Sequence, residues 1–266
     1  VDTATNRWVA KDYKTNVNTY GNRGFYMAFD NASGTSDGVG TDSSGNNFHF
    51  AESFVSGGSA WTSTDTVTDT PSKNFAILSS SRNQTNNLSE GNLKIGPGDA
   101  NWDSTQATIG GLTSGKWYLE FTPETAGSNI MLALSANTVD SSASTLAYNT
   151  NEYAYYFVNG QVYSNAASLG SYGAAVGAGV VVGMAINLDD GLLYFSRNGT
   201  FENSGNPVTG VNPGARIIKG LAYNIIVSMT NSITTANNTI NFGSKTSGFA
   251  STPPTGYKAI NQDNLD

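Results

Sequence analysis

The sequence has no cysteine and a single histidine, His49. Disulfides, thiolate nucleophiles and cysteine-based zinc sites are therefore excluded. A Ser-His-Asp triad would have to be built on His49, which lies in "NNFHF" between Phe48 and Phe50, two expected core aromatics. Charge is also scarce. Only 12% of the 266 residues are charged, and their balance is −7. Basic runs are absent, so neither nucleic acid nor an anionic membrane is an expected partner. No apolar run approaches the ~20 residues that cross a bilayer, so membrane insertion is not expected. The opening "VDTATNRWVAKDYK" shows neither a signal-peptide core nor an initiator methionine, which points to a fragment or a processed chain.

What remains is rich in Gly, Asn, Ser and Thr, with 38% hydrophobic and 11% aromatic residues. Such a chain can fill a core between many short strands and polar turns. "GKWYLEFTP" alternates, placing Trp117, Leu119 and Phe121 inward and Tyr118 and Glu120 outward. "NIMLALSA" is apolar on both faces and predicts a central strand. "EYAYYFVNGQVYSN" carries Asn159-Gly160 between two aromatic strands. In "VVVGMAINLDDGLLYFSRNGTF", Val182, Met184, Ile186 and Leu188 share a face that Leu193 and Phe195 continue. Its turns fall at Asp190-Gly191 and Asn198-Gly199, residues that tolerate positive φ. No helix of useful length is evident, so an all-β sandwich or barrel is predicted.

"GKWYLEF", "YYFVNGQVYSN", "LDDGLLYFSRNGTF", "NTINFG" and "TPPTGYKAIN" together resemble the SPRY domain in its concanavalin-like, bacteriophage form. The resemblance covers roughly residues 74 to 262. It implies a bent antiparallel β-sandwich over 74–266. "TNRWVAKD", "YGNRGFYMAFD", "DSSGNNFHF" and "DTVTDTPSKNFAIL" resemble the stretch before such domains in tail-fibre-like or adhesin-like virion proteins. Residues 1–73 are accordingly expected to be a partly extended, β-containing linker, or the remnant of an upstream lectin-like sandwich. The resemblance implies a non-enzymatic protein on a virion surface, a fibre, spike or capsid projection that mediates assembly or host-surface recognition through the sandwich loops. Its expected partners are other virion proteins, copies of itself, or a host-surface glycan or protein. A carbohydrate-active enzyme and a bacterial surface adhesin are the alternatives on the same fold.

Glycoside hydrolysis requires two carboxyl groups ~5–10 Å apart. Glu120 and Glu124 lie four apart in "EFTPE", but Pro123 interrupts the strand, and Glu-x-Asp-x-x-Glu is absent. The pair therefore reads as two solvated carboxylates, and no catalytic residue is assigned. Calcium is the one cofactor the sequence raises, because "DGVGTDSSGNN" offers Asp37, Asp42, Ser44 and Asn46 as hard oxygen groups. Turns capped by Asn and Asp have the same composition without metal. For ligand binding, Tyr153, Tyr155, Tyr156 and Tyr163 crowd one hairpin, and Trp61 and Trp102 lie in polar loops. An exposed ring offers a flat apolar surface with a polar tip. Alternate tyrosines on a strand can equally fill a core, and Tyr153, Tyr155 and Phe157 share one face, with Tyr156 and Val158 on the other.

Overall fold

A computed structural model describes residues 19–28, 40–50, 67–69, 73–98, 102–126, 128–139, 146, 149–230, 232, 237–245 and 247–265. The chain divides into two compact units, Val1–Ser72 and Lys73–Asp266. Among the described residues the regular structure is strand and 3-10 turn, with no α-helix.

The second unit contributes, in chain order, β1 (Leu78–Asn83), β2 (Asn87–Ser89), β3 (Lys94–Gly96), β4 (Asp103–Ala107) and β5 (Lys116–Thr122). Next come β6 (Ile130–Ser135), β7 (Glu152–Tyr156), β8 (Gln161–Ser164), β9 (Ala167–Ser168) and β10 (Val182–Asn187). The set closes with β11 (Leu192–Arg197), β12 (Thr200–Phe201), β13 (Ala215–Arg216), β14 (Asn224–Met229) and β15 (Asn238–Asn241). They form two antiparallel sheets. One has seven strands in the order β1-β4-β14-β6-β7-β8-β9. The other has eight, in the order β12-β11-β10-β5-β15-β3-β2, with β13 paired to β11. This all-β antiparallel sandwich is the architecture that the resemblance implied.

The core between the sheets follows from period-two alternation. Trp117, Leu119 and Phe121 of β5 meet Met184 and Ile186 of β10 and Leu193 and Phe195 of β11, and all are buried. The facing sheet supplies Leu132, Leu134, Tyr153, Tyr155, Ile225 and Val227. As expected, β6 is central, flanked by β14 and β7. The β11–β12 turn has only two residues, because Arg197 pairs with Thr200. Asn198 and Gly199 both take positive φ, 48° and 81°, as a tight hairpin demands.

One glycine is required by space rather than by conformation. A Cβ on Gly183 of β10 would lie 2.4 Å from both Ser196 Oγ and Tyr118 Oη. The Gly183→Ala variant is expected to lose about 2 kcal/mol through overpacking. An unchanged urea midpoint would refute that crowding.

The ends of this unit are tied together. Ala76 N–H donates to Ile260 O (2.9 Å) and Gln262 N–H donates to Asn74 O (2.9 Å), around an antiparallel bridge between Phe75 and Asn261.

In the first unit, Met27 bridges Asp42. Phe48 and Phe50 were expected to be core residues on either side of His49. Instead they are 44% and 48% exposed. Phe50 packs edge-on against Phe25, with ring centroids 5.1 Å apart.

Candidate functional site

The outer faces of the two sheets are finished differently, and the contrast locates the site. On the eight-stranded sheet, β5 turns Tyr118 and Glu120 away from the core. Both were expected to point outward and Glu120 to be solvated, yet they are only 1% and 2% exposed. The correction lies in the C-terminal segment, which folds over this face. Ala250 N–H and Ser251 N–H donate to the two Glu120 carboxylate oxygens (2.8 and 2.7 Å), and Tyr118 Oη donates to Oε1 (3.2 Å). Phe249 packs edge-on against Tyr118, with ring centroids 4.9 Å apart. Tyr257 and Tyr194 complete a small apolar cluster beneath the segment. Glu124 is exposed and accepts from Asn237 Nδ2 (3.0 Å). The two carboxylates thus sit in unlike environments, one of them saturated by structural donors.

The outer face of the seven-stranded sheet carries a row of aromatic rings. Register places Ser104, Ser228, Met131, Tyr156 and Gln161 in one line across β4, β14, β6, β7 and β8. Trp102 lies two residues before Ser104 and so falls on the same side. β14 and β6 intervene between β4 and β7, a backbone separation of roughly 14 Å. The ring centroids of Trp102 and Tyr156 are nevertheless only 6.0 Å apart. Both rings therefore lean toward each other across the two intervening strands. Tyr163 continues the strip, edge-on to Tyr156 at 6.0 Å. Beneath and beside the rings lie Met131, Ala133, Ala154 and Ile226, all buried. Val139 and Leu146 of the β6–β7 connection close one flank of this cluster. Trp102, Tyr156 and Tyr163 themselves remain half-buried.

The polar groups around the rings are amides and hydroxyls. Tyr156 Oη donates to Asn129 Oδ1, and Asn129 Nδ2 donates to Ser232 Oγ (3.2 Å). Asn159 Nδ2 donates to Tyr163 Oη (2.9 Å), which in turn donates to Gln161 Oε1 (3.2 Å). Ser168 Oγ donates to the same oxygen (2.8 Å). Desolvation, aided by the neighbouring Tyr163 phenol, raises the Tyr156 phenol above its ordinary value, so it is neutral at physiological pH. The strip presents a neutral surface of apolar faces edged by hydrogen-bonding groups.

Of the six predicted ligand-binding aromatics, the structure brings together Trp102, Tyr156 and Tyr163. Tyr153 and Tyr155 are corrected to core residues, 7% and 0% exposed, because alternation along β7 turns them inward. Tyr155 stacks on Phe195 at 4.6 Å and 14°. Trp61 lies outside the described residues. The sequence reading missed Gln161, Asn129 and Asn159. Their one signal was proximity to the aromatic hairpin, which does not separate a binding amide from a turn amide.

Of the predicted calcium ligands, Asp37 lies outside the described residues. Asp42 Oδ1 accepts from Tyr26 N–H and Ser44 N–H (both 2.8 Å), and Oδ2 accepts from Ser44 Oγ (2.7 Å) and Phe48 N–H (3.0 Å). Desolvation pushes this carboxyl upward in pKa, but the donors outweigh it and hold the group well below the ordinary carboxylate range. Asn46 turns its Nδ2 donor to Gly21 O and Gly24 O (both 2.7 Å). These three residues form a capped turn with donors pointed at the carboxylate. That geometry does not fit a calcium cage, whose ligands must all aim oxygen lone pairs at one point.

Among the described residues no helix is long and apolar enough to cross a membrane. No family model matches the chain. No curated protein matches it. Among solved structures, the chain is similar to the SPRY domain of human HERC1, with 15% identity and a TM-score of 0.41, over 62% of this chain and 95% of that one.

Proposed function

We propose that this chain is a non-enzymatic recognition module of a bacteriophage virion protein, carried on the particle surface as part of a fibre, spike or capsid projection. Its binding surface is the Trp102–Tyr156–Tyr163 strip. The observation that carries this reading is a set of three half-buried rings, with Tyr156 in contact with both Trp102 and Tyr163, on a sheet face whose opposite number is sealed by the chain itself. Aromatic anchors in such a setting supply much of the energy in protein recognition surfaces. The virion setting is supported by the sequence resemblance alone. The non-enzymatic reading is supported by the use of Glu120 as a structural anchor. Multiple copies on a particle would convert weak single contacts into firm attachment.

The test is binding of the fluorescently labelled full chain to candidate bacterial host cells, with immunogold labelling of the virion alongside. The chain is expected to bind, and Trp102→Ala, shown folded by circular dichroism, to weaken binding by roughly tenfold or more. Equal binding by the variant, or none by the parent chain, would remove the strip from recognition. Label confined to the particle interior would remove the surface role.

A further inference from the structure

We infer that the aromatic strip binds a neutral glycan, gripped between the ring faces and the amide of Gln161; this rests on the strip being a recognition surface, as proposed above.

Gln161 is the polar centre of the strip. Its carbonyl oxygen accepts from two hydroxyls, Tyr163 Oη (3.2 Å) and Ser168 Oγ (2.8 Å). That double contact fixes which end of the amide faces the strip's neighbours. Its Nε2 donates to no described residue, and the side chain is half-buried beside Tyr163. A primary amide held in one orientation with both N–H groups unspent is a preorganised donor. Asn129 and Asn159, each already hydrogen-bonded to a strip phenol, flank the rings.

The chemistry of the occupant follows from this set. Ring faces pack against apolar C–H surface. Amides and hydroxyls donate and accept within a few ångströms of one another, which suits a ligand carrying both functions on adjacent atoms. A sugar ring has an apolar face and a rim of vicinal hydroxyls, so it matches both halves of the site. Among the described residues the rings and amides of the strip include no charged group, Arg82 at its flank is turned to Val139 O (3.3 Å), and the chain carries 20 acidic against 13 basic residues, so a carboxylated or phosphorylated ligand is disfavoured. A proline-rich peptide also seeks aromatic surface. Its backbone carbonyls can accept from the Gln161 amide, but they are not accompanied by donors on adjacent atoms, so it matches one half of the polar edge only. The strip runs across five strands, long enough for more than one sugar ring to lie along it.

The experiment is a printed array of neutral hexose and N-acetylhexosamine oligosaccharides, sialylated and uronate-containing glycans, and proline-rich peptides, probed with the full chain. Binding to one or more neutral glycans is expected. Gln161→Glu keeps the oxygen that accepts from Tyr163 and Ser168 but removes the N–H donors, so it should fold normally and bind roughly tenfold more weakly. Trp102→Ala should bind weakly or not at all. Binding only to acidic glycans, only to peptides, or to nothing on the array overturns the inference, as does full affinity in Gln161→Glu. Periodate treatment of host cells separates this outcome from the broader reading. If treated cells still bind through Trp102, the recognition surface stands and the glycan does not.

Discussion

Raising the pH from 10 to 12 is expected to unfold the second unit cooperatively. Five of its tyrosines, Tyr118, Tyr155, Tyr172, Tyr223 and Tyr257, are buried. In each, burial is the leading cause that raises the phenol above its ordinary value of about 10. Tyr223 is pushed up to about 12 and the other four further. Below pH 10 all five are protonated in both the folded and unfolded chain, so their contribution to stability is intact. Above it the unfolded chain releases protons that the folded chain keeps, and stability falls until the folded phenols ionise. Each such tyrosine costs about 1.4 kcal/mol per pH unit. Together that is about 7 kcal/mol per unit, comparable with the 5–15 kcal/mol of a typical domain. Tyrosinate absorbance and far-ultraviolet circular dichroism should therefore change together in one steep transition. Smooth appearance of buried tyrosinate near pH 10 with the dichroism unchanged would contradict this.

The second large effect concerns Glu120. Glu120→Ala should destabilise the second unit by about 4 kcal/mol, since each charge-assisted hydrogen bond is worth about 1.5–3 kcal/mol and its donors lose their acceptor in a buried place. The damage should concentrate in the C-terminal segment. Amide exchange at Ala250 and Ser251 should accelerate ahead of the strands, because those two N–H groups bond to the carboxylate. Glu120→Gln should cost less, because one oxygen acceptor remains. Glycan or cell binding should survive both changes, the strip being on the other sheet. A urea midpoint unmoved in Glu120→Ala would show that the segment is held by Phe249 and Tyr257 packing instead.

Much of the sandwich was legible because its cause is local. Period-two alternation in residues 117–121 and 182–188 names the core face without knowledge of the partner strand, and positive-φ residues at 198–199 name a turn. The fate of Glu120 was not legible. Alternation correctly turned it away from the core, but it cannot say that a segment 130 residues later will cover that face. The same limit applied to the rings. Tyr156 could be separated from Tyr153 and Tyr155 by parity. That Trp102 reaches Tyr156 depends on the strand order β4-β14-β6-β7, which no local pattern encodes. Asp42 was ambiguous for a different reason: turn capping and cation binding select the same residue types, and the direction of the donors is not written in the sequence.

The tie between residues 74–76 and 260–262 has a mechanical consequence. The two segments run antiparallel, so the chain enters and leaves the second unit side by side. Tension applied between those points loads the bond from Gln262 to Asn74 first and the bond from Ala76 to Ile260 afterwards, an unzipping that breaks contacts in sequence. The central strands are not sheared until this clasp has opened. Under such a pull the unit lengthens at its clasp while the sheet face that carries the rings stays intact.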